Sequence, residues 1–315
     1  MTVPGWPRVG VDIGGTKIAA ARVERDGTVT DRRVRATPAT SGADRVLASV
    51  LDLVRELAPG TTFVGIGAPG TVDVRTGIVR SATDLLPGWA GTAIATGVQA
   101  ATGLPALVDN DVNVAALGEL RRGAAAGHAA ILYVSVGTGV GGALALDGRV
   151  VRGARGAAGE VGHLSVAGPA STRRCACGRI AHVEAVASGP AIEAAYRGHS
   201  TGPGPELREI ARRAAAGEAR AREVIGHAAA VLGRTLAGLV CVLDPDLLVL
   251  GGGVTGIGDD FIGPLTDALR AEVLPPLREL PVRTATLGLD APLIGAALLP
   301  EDLAFPLNSK KSERT

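Results

Sequence analysis

The feature that most constrains the fold of this chain is a pattern of strand, glycine turn and strand that occurs twice. Residues 11–18 read V-D-I-G-G-T-K-I, and residues 134–141 read V-S-V-G-T-G-V-G. In each, an apolar run predicts a buried strand, a glycine turn carrying a threonine follows, and a second strand begins. With 315 residues, the chain is long for one hydrophobic core and sufficient for two. The repeat predicts two similar α/β lobes whose turns approach one ligand.

Apolar periodicity predicts the elements around both turns. The predicted strands are residues 8–13, 18–24, 29–35, 63–67, 106–108 and 247–253, with a hairpin signal at Asp26-Gly27. The predicted helices are residues 43–57, 92–101, 111–121, 221–243 and 293–299. The order βββαβαβα in the first half implies a mixed sheet with helices on its faces.

Charge and hydropathy argue against two classes of partner. The formal net charge is +1, so no electrostatic case exists for nucleic acid or an anionic membrane. Residues 129–146 are uncharged and long enough to cross a bilayer, but their central glycine cluster favours two buried strands.

Residues 1–10 lack the charged start and apolar core of a signal peptide, so we expect a cytoplasmic protein. Cys241 lies in an apolar run and is expected in the core.

Three glycine turns that directly follow apolar strands are candidate phosphate-binding loops. In the first, D-I-G-G-T-K, backbone amides can converge on an anion, Thr16 adds a hydroxyl, and Asp12 can orient Mg²⁺. The alternative is an ordinary hairpin, since no Walker loop is present and no helix follows the turn. The candidate ATP-binding residues are Asp12, Gly14, Gly15, Thr16, Lys17, Gly137, Thr138, Gly139, Gly252 and Gly253.

The segment V-D-N-D-V-N, residues 108–113, stands where a predicted strand passes into a predicted helix. An aspartate at the start of a helix is stabilised as an anion, so Asp111 is a candidate base for phosphoryl transfer, in which positioning dominates. The alternative is that Asp111 only caps the helix. Asn110 offers a polyol both a donor and an acceptor.

A third constellation predicts a metal. Cys175 and Cys177, with His163 before them and His182 after, form a plausible tetrahedral Cys₂His₂ zinc site. A zinc with four protein ligands is closed, so it would shape a loop rather than activate water. The alternative is that both histidines are surface residues. Glu160 and Glu184 flank the motif and could accept hydrogen bonds from sugar hydroxyls.

Together these motifs resemble the ROK family of repressors, open-reading-frame proteins and sugar kinases. The resemblance covers residues 9–299 and rests on D-I-G-G-T-K, G-A-P-G at residues 67–70, N-D-V-N-x-A-A-L-G-E, V-G-T-G-V-G-G, G-E-V-G-H, C-x-C-G and L-D-P-D-L-L-V-L-G-G-G. It implies that Asp111 is the catalytic base. It also implies that the sugar is bound by Gly70, Asn110, Asp111, Glu160, His163 and Glu184, with His163 a zinc ligand as well.

The family resemblance implies an α/β fold of two ribonuclease-H-like lobes, the actin/hexokinase type of ATPase, with a cleft for nucleotide and sugar. Residues 1–112 would form the first lobe, completed by a helix at about residues 292–303. Residues 113–291 would form the second lobe, with the zinc loop and dimerisation helices, and residues 304–315 a disordered tail.

Two departures from the family pattern bear on this reading. The family's zinc motif is usually C-x-C-G-x-x-G-C, whereas this chain has Ala181 and His182 at the last two positions. Ahead of Trp89, where many family kinases have Asn-Leu, this chain reads T-D-L-L-P-G at residues 83–88, which leaves the sugar open.

The resemblance implies transfer of the ATP γ-phosphoryl group, with Mg²⁺ and a structural zinc, to the 6-hydroxyl of glucose or a related hexose. N-Acetylmannosamine, fructose, an amino sugar or a cyclitol are alternative acceptors, and a non-catalytic sugar-sensing protein is the alternative function. Only eleven residues precede Asp12, which we expect to exclude the DNA-binding domain of the family's regulators. We also expect a homodimer or homotetramer.

Overall fold

The computed structural model describes residues 3–83, 86–167, 172–200, 202 and 204–303. It divides into two compact units, Met1–Arg121 with Leu289–Thr315, and Arg122–Gly288. The predicted boundary after residue 112 would cut a helix near its start. That helix belongs to the first unit because Gly118 and Gly295 allow it to pack closely on the unit's last helices. The predicted tail at residues 304–315 lies outside the described residues.

The first unit is built on a five-stranded mixed sheet. Its elements are β1 (Arg8–Ile13), β2 (Lys17–Val23), β3 (Val29–Ala36), α1 (Ala43–Leu57), β4 (Val64–Ala68), β5 (Thr71–Asp73), β6 (Ile78–Ser81), α2 (Ile94–Thr102), β7 (Ala106–Asn110) and α3 (Asp111–Arg122). The strand order is β3-β2-β1-β4-β7, with β5 and β6 forming a separate hairpin. β1 pairs antiparallel with β2 and parallel with β4, and β4 pairs parallel with β7. The carboxyl ends of β1, β4 and β7 therefore lie at one edge.

The end of the chain returns to this sheet as α9 (Ala291–Ala297) and α10 (Leu299–Leu303). Gly10 and Gly65 let the backbone of α9 contact the strands directly, because a Cβ at either position would collide with α9 carbonyls. The fully buried Arg8 donates to the Ala297 carbonyl and to Glu301, both at 2.7 Å. These contacts fix the closing helices to β1.

The second unit repeats the sheet. It contains β8 (Ile131–Val136), β9 (Val140–Leu146), β10 (Arg149–Val151), α4 (Glu184–Ala187), α5 (Gly189–Arg197), α6 (Leu207–Ala215), α7 (Ala219–Leu243), β11 (Leu247–Gly251), α8 (Asp259–Glu272) and β12 (Val282–Thr284). The order is β10-β9-β8-β11-β12, with the antiparallel and parallel pairs placed as in the first sheet. Residues 129–146 thus form two strands as predicted, and the predicted fold class is confirmed.

The structure corrects two details of the sequence analysis. The β1–β2 connection closes at the pair Ile13–Ile18, whereas the β8–β9 connection closes at Val136–Val140, one residue sooner. The two turns therefore superpose only up to their first glycine. Cys241 is exposed, contrary to prediction, because it lies on the outer face near the end of α7.

Among the described residues, α7 is long and apolar enough to cross a membrane by length and composition. Half of the apolar window is buried inside the second unit, and core helices pass the same test.

Candidate active site

The candidate residues divide between the two units. The first unit holds Asp12, Gly14, Gly15, Thr16, Lys17, Gly70, Asn110 and Asp111, and the second holds Gly137, Thr138, Gly139, Glu160, His163, Cys175, Cys177, His182, Glu184, Gly252 and Gly253.

In the first unit, the β1–β2 turn is held from behind by Thr37. The Gly14 amide donates to the Lys17 carbonyl at 2.9 Å, and Thr37 donates to the Thr16 carbonyl through its amide and to the Gly14 carbonyl through Oγ1, at 3.0 and 2.6 Å. Gly15 does not have positive φ, and a Cβ there would meet nothing within 4 Å. Glycine at this position thus leaves open space that a ligand can enter.

Asp12 stands at the end of β1, half-buried and paired in register with Ala19. Desolvation raises the pKa of its carboxyl from 3.8 to about 6, and the positive charge of Lys17 opposes the rise. A poorly hydrated carboxylate beside a glycine turn gains from a cation, which suits the predicted role toward Mg²⁺.

The structure distinguishes the two neighbours at the β7–α3 junction. Asn110 is the capping residue, because its Oδ1 accepts from the amides of Val112 and Asn113 at 2.8 and 3.1 Å. Its Nδ2 donates to the Gly70 carbonyl at 3.0 Å. Asn110 therefore has less capacity for a polyol than predicted. Asp111 is the first residue of α3, and its Oδ1 accepts from the Val112 amide at 2.9 Å.

Asp109, which the sequence analysis did not single out, fixes this junction from inside. Its side chain is buried, and its Oδ1 accepts from the Asn110 amide at 2.7 Å and from Asn113 Nδ2 at 3.0 Å. The run of polar residues in D-N-D-V-N, where the predicted strand meets the predicted helix, is the signal that could have revealed it.

In the second unit, the two later glycine turns lie against each other. The Gly137 amide donates to the Gly139 carbonyl, and the Gly189 amide at the start of α5 donates to the Gly137 carbonyl, both at 2.8 Å. Gly252, with φ of 85°, packs so closely on Val136 that a Cβ would collide with its backbone. Contacts within the unit thus place the turn after β11 beside the turn after β8.

The four predicted zinc ligands form a compact cluster whose ligand atoms all lie within 4.8 Å of one another. His163 Nδ1 lies 3.2 Å from His182 Nδ1, Cys177 Sγ lies 3.3 Å from His182 Nδ1, and Cys175 Sγ lies 3.9 Å from His163 Nδ1. A tetrahedral zinc would place such atoms roughly 3.3–3.8 Å apart. The donor set and its spacing therefore fit zinc.

The loop around this cluster carries strain where the chain departs from the family motif. Ala181, in place of the usual glycine, has φ of 66°, in the left-handed region that L-residues avoid. Its amide donates to the Arg173 carbonyl at 3.0 Å, and its carbonyl accepts from the Val166 amide at 2.7 Å. Burial raises the pKa of the adjacent Cys175 thiol to about 12, so its thiolate requires a nearby cation.

Glu184 connects the metal cluster to the β8–β9 turn. Its Oε2 accepts from the Val140 amide at 3.1 Å, and Cys175 Sγ donates to its Oε1 at 3.3 Å. Gly139 leaves the space that the carboxylate occupies, since a Cβ there would lie 2.6 Å from Oε2. Glu160 Oε2 lies 3.9 Å from His163 Nε2, and burial raises the pKa of Glu160 while His163 opposes the rise. The ring of His163 therefore turns Nδ1 toward the cluster and Nε2 toward Glu160.

Comparisons with known proteins agree with these features. A sequence model of the ROK family matches residues 8–302. Glucokinase of Halalkalibacterium halodurans is 33% identical over 312 residues, which cover 92% of this chain and 94% of that protein. N-acetylmannosamine kinase of Citrobacter koseri is 35% identical over 295 residues, which cover 92% and 97%.

Among solved structures, a ROK family glucokinase from Streptomyces griseus in complex with glucose and AMPPNP superposes with a TM-score of 0.81. The two chains are 32% identical, and the match covers 93% of this chain and 99% of that one. The family model, the two relatives and the solved structure each match nearly the whole length of this chain. The chain belongs to the ROK family.

Proposed function

We propose that this protein is an ATP-dependent sugar kinase that transfers the γ-phosphoryl group of ATP to a sugar hydroxyl. The observation that carries the proposal is the β7–α3 junction, where Asn110 caps the helix and Asp111 occupies the first helical position. Relatives that cover nearly the whole chain are glucokinases and N-acetylmannosamine kinases, which supports the same reaction.

In the proposed mechanism, the sugar hydroxyl oxygen attacks the γ-phosphorus while the bond to the β-phosphate oxygen breaks and ADP leaves. Asp111 accepts the hydroxyl proton, and its position at the amino end of α3 favours the ionised form. The amides and hydroxyls of the β1–β2 and β8–β9 turns hold phosphate oxygens. Asp12 would hold Mg²⁺, which when bound neutralises charge on the phosphates.

The first candidate for the acceptor is the 6-hydroxyl of glucose. Relatives of similar identity act on glucose in one case and carry the name N-acetylmannosamine kinase in another, so the two sugars are direct rivals. A coupled ADP-release assay over hexoses, amino sugars, N-acetylated sugars and cyclitols would rank them by kcat/KM. The absence of ADP release with every acceptor in the panel would favour the non-catalytic alternative.

The test of the base is Asp111→Asn. Turnover should fall by about 10²–10⁴, the usual contribution of a general base, while sugar binding is nearly unchanged. Asp44→Asn is a control, because Asp44 is also an acid in the first turn of a helix of the same unit, although it is more exposed than Asp111. A variant at position 111 that keeps more than about a tenth of the wild-type kcat contradicts the assignment.

We also propose that one zinc ion per chain is held by His163, Cys175, Cys177 and His182. With four protein ligands the ion is structural, and it would fix the loop that carries Glu160 and Glu184. The geometry of the cluster supports this, since its ligand atoms already lie within 4.8 Å of one another and one of them, Cys175 Sγ, contacts Glu184.

Elemental analysis of protein purified without chelator should give about one zinc per chain. Cys177→Ala should lose the metal and raise the sugar KM more than the ATP KM, whereas His182→Cys should keep it. Zinc far below one equivalent in the wild type would mean that the metal site is lost when histidine stands at position 182 in place of the family's usual cysteine.

A cytoplasmic location and a homodimer or homotetramer are further proposals. Val242, which is 80% exposed near the end of α7, is an apolar side chain that a second copy could cover. Light scattering coupled to gel filtration measures the state directly.

A further inference from the structure

A groove of about 700 Å³ lies in the second unit, away from the glycine turns and the metal cluster. Its walls come from the end of α3 and the segment after it, from α8 and from the edge strand β12. The lining includes Arg122, Ile262, Val282, Arg283, Thr284 and Thr286. Its lining combines two guanidinium groups with threonine hydroxyls and aliphatic side chains, and contains no carboxylate.

Arg283 is held so that part of its guanidinium stays available. Its Nη1 donates to the Ala124 carbonyl at 3.3 Å and lies 3.5 Å from His128 Nε2. Within the part of the chain that the structure describes, its Nη2 and Nε have no hydrogen-bond partner. A guanidinium anchored at one nitrogen presents its remaining donors in a fixed plane, which suits the oxygens of a phosphate.

The groove also touches both places where the chain passes between units. The first crossing lies between Arg121 and Arg122, and the second between Gly288 and Leu289. Arg122 lines the groove directly after the first crossing, and Thr286 lines it two residues before Gly288. A ligand here would contact both connecting segments at once.

We propose that this groove binds a small organic phosphate and that its occupancy changes the rate of the kinase. The phosphate pairs with the free face of Arg283 and with the Thr284 hydroxyl, and the carbon skeleton lies on Ile262 and Val282. Ligand sites of this size commonly combine apolar walls with a few polar anchors. The effect on rate, which rests on the proposed kinase function, follows because the ligand restrains the two segments that join the units.

Binding is measured by calorimetry at fixed ionic strength, with inorganic phosphate and with the phosphorylated sugar product as separate probes. The product is titrated in saturating sugar substrate, which occupies the catalytic sugar site. Arg283→Gln should weaken binding at least about tenfold through loss of a charge-assisted contact, and Thr284→Glu should do the same by placing a negative charge beside the phosphate. Arg270→Gln, an exposed arginine on α8 outside the groove lining, should bind like the wild type.

The proposal is overturned if Arg283→Gln binds both probes as tightly as the wild type, or if saturating sugar abolishes all product binding. Binding of inorganic phosphate alone would support the anion site and overturn the assignment of an organic ligand. In steady-state assays, added product should change the wild-type kcat at least about twofold beyond simple competition, and Arg283→Gln should remove this effect while keeping the basal rate. Because the titration with inorganic phosphate uses neither activity nor product, it stands even if the chain is not a kinase.

Discussion

The two glycine turns of this protein end equivalent strands in equivalent sheets, yet they are supported differently. The β1–β2 turn is exposed at Gly15, Thr16 and Lys17 and is held from behind by Thr37. The β8–β9 turn is one residue shorter and is enclosed by Glu184, by the start of α5 and by Gly252.

The residue that precedes each turn differs as well. Asp12 and Ser135 occupy equivalent places, two residues before the first glycine of each turn. Asp12 pairs with Ala19 on β2, and Ser135 pairs with the equivalent residue Gly141 on β9. The scaffold is therefore repeated but the carboxylate is present once. This asymmetry supports the proposal that a cation binds at the first turn, because only that turn follows a strand with a carboxylate at this place.

Asp12→Asn should have the largest effect on this comparison. Turnover should fall at least about 10²-fold, because the amide cannot neutralise a hydrated cation, while Ser135→Ala should change kcat little. The assay is the rate against Mg²⁺ concentration for both variants. Equal losses at the two positions would remove the asymmetry between the turns.

The same substitution should stabilise the fold, with a defined pH dependence. Because desolvation raises the folded pKa of Asp12 to about 6, its carboxylate destabilises the protein above pH 6 and not below the unfolded value near 3.8. Asp12→Asn should thus raise the free energy of unfolding at pH 8 by on the order of 1–3 kcal/mol. The gain should vanish near pH 4, and denaturant titrations at both pH values measure it.

Gly139→Ala should have the next largest effect, and Gly15→Ala is its counterpart in the first unit. A methyl group at position 139 displaces Glu184 from the Val140 amide, which should lower the free energy of unfolding by about 1–3 kcal/mol. The sugar KM should rise with it. Gly15→Ala should leave stability unchanged and raise only the ATP KM, since open space surrounds that position. A stable Gly139→Ala variant with normal kinetics would show that Glu184 does not depend on this turn.

The smallest expected effect concerns the loop around the cluster of two cysteines and two histidines. Ala181→Gly should stabilise the protein by about 0.5–1 kcal/mol, because glycine adopts positive φ without the steric penalty of alanine and loses only part of this gain as chain entropy. Ala176→Gly, in the same loop without positive φ, should destabilise it. Denaturation of the zinc-loaded protein compares the two, and a loss of stability in both would contradict the strain at Ala181.

The sequence predicted long elements well and short ones poorly. α1 was predicted at its observed bounds, because five apolar residues recur at helical spacing before Pro59-Gly60. β5, β6, β10 and β12 were not predicted, since three or four residues carry too little periodicity and depend on a neighbouring strand. α8 was also missed, and Pro264 inside it interrupts the helical pattern.

Within the candidate site, the sequence predicted which residue types are present but not which hydrogen-bond partners they have. Two cysteines and two histidines predicted a cluster that the structure brings together. Thr37 had no signal, because its contact with Gly14 spans 23 positions in the sequence.

The sequence by itself determined the family and the repeated strand–turn–strand units, and it named candidate residues for phosphoryl transfer, because these features depend on local order and spacing. Only the tertiary structure decided which of those groups remain available to a ligand. Asn110 is largely committed to α3 and Gly70, and Glu184 is bound to an amide 44 positions away. A side chain's remaining hydrogen-bonding capacity depends on partners supplied by distant segments, and folding alone brings those partners within reach.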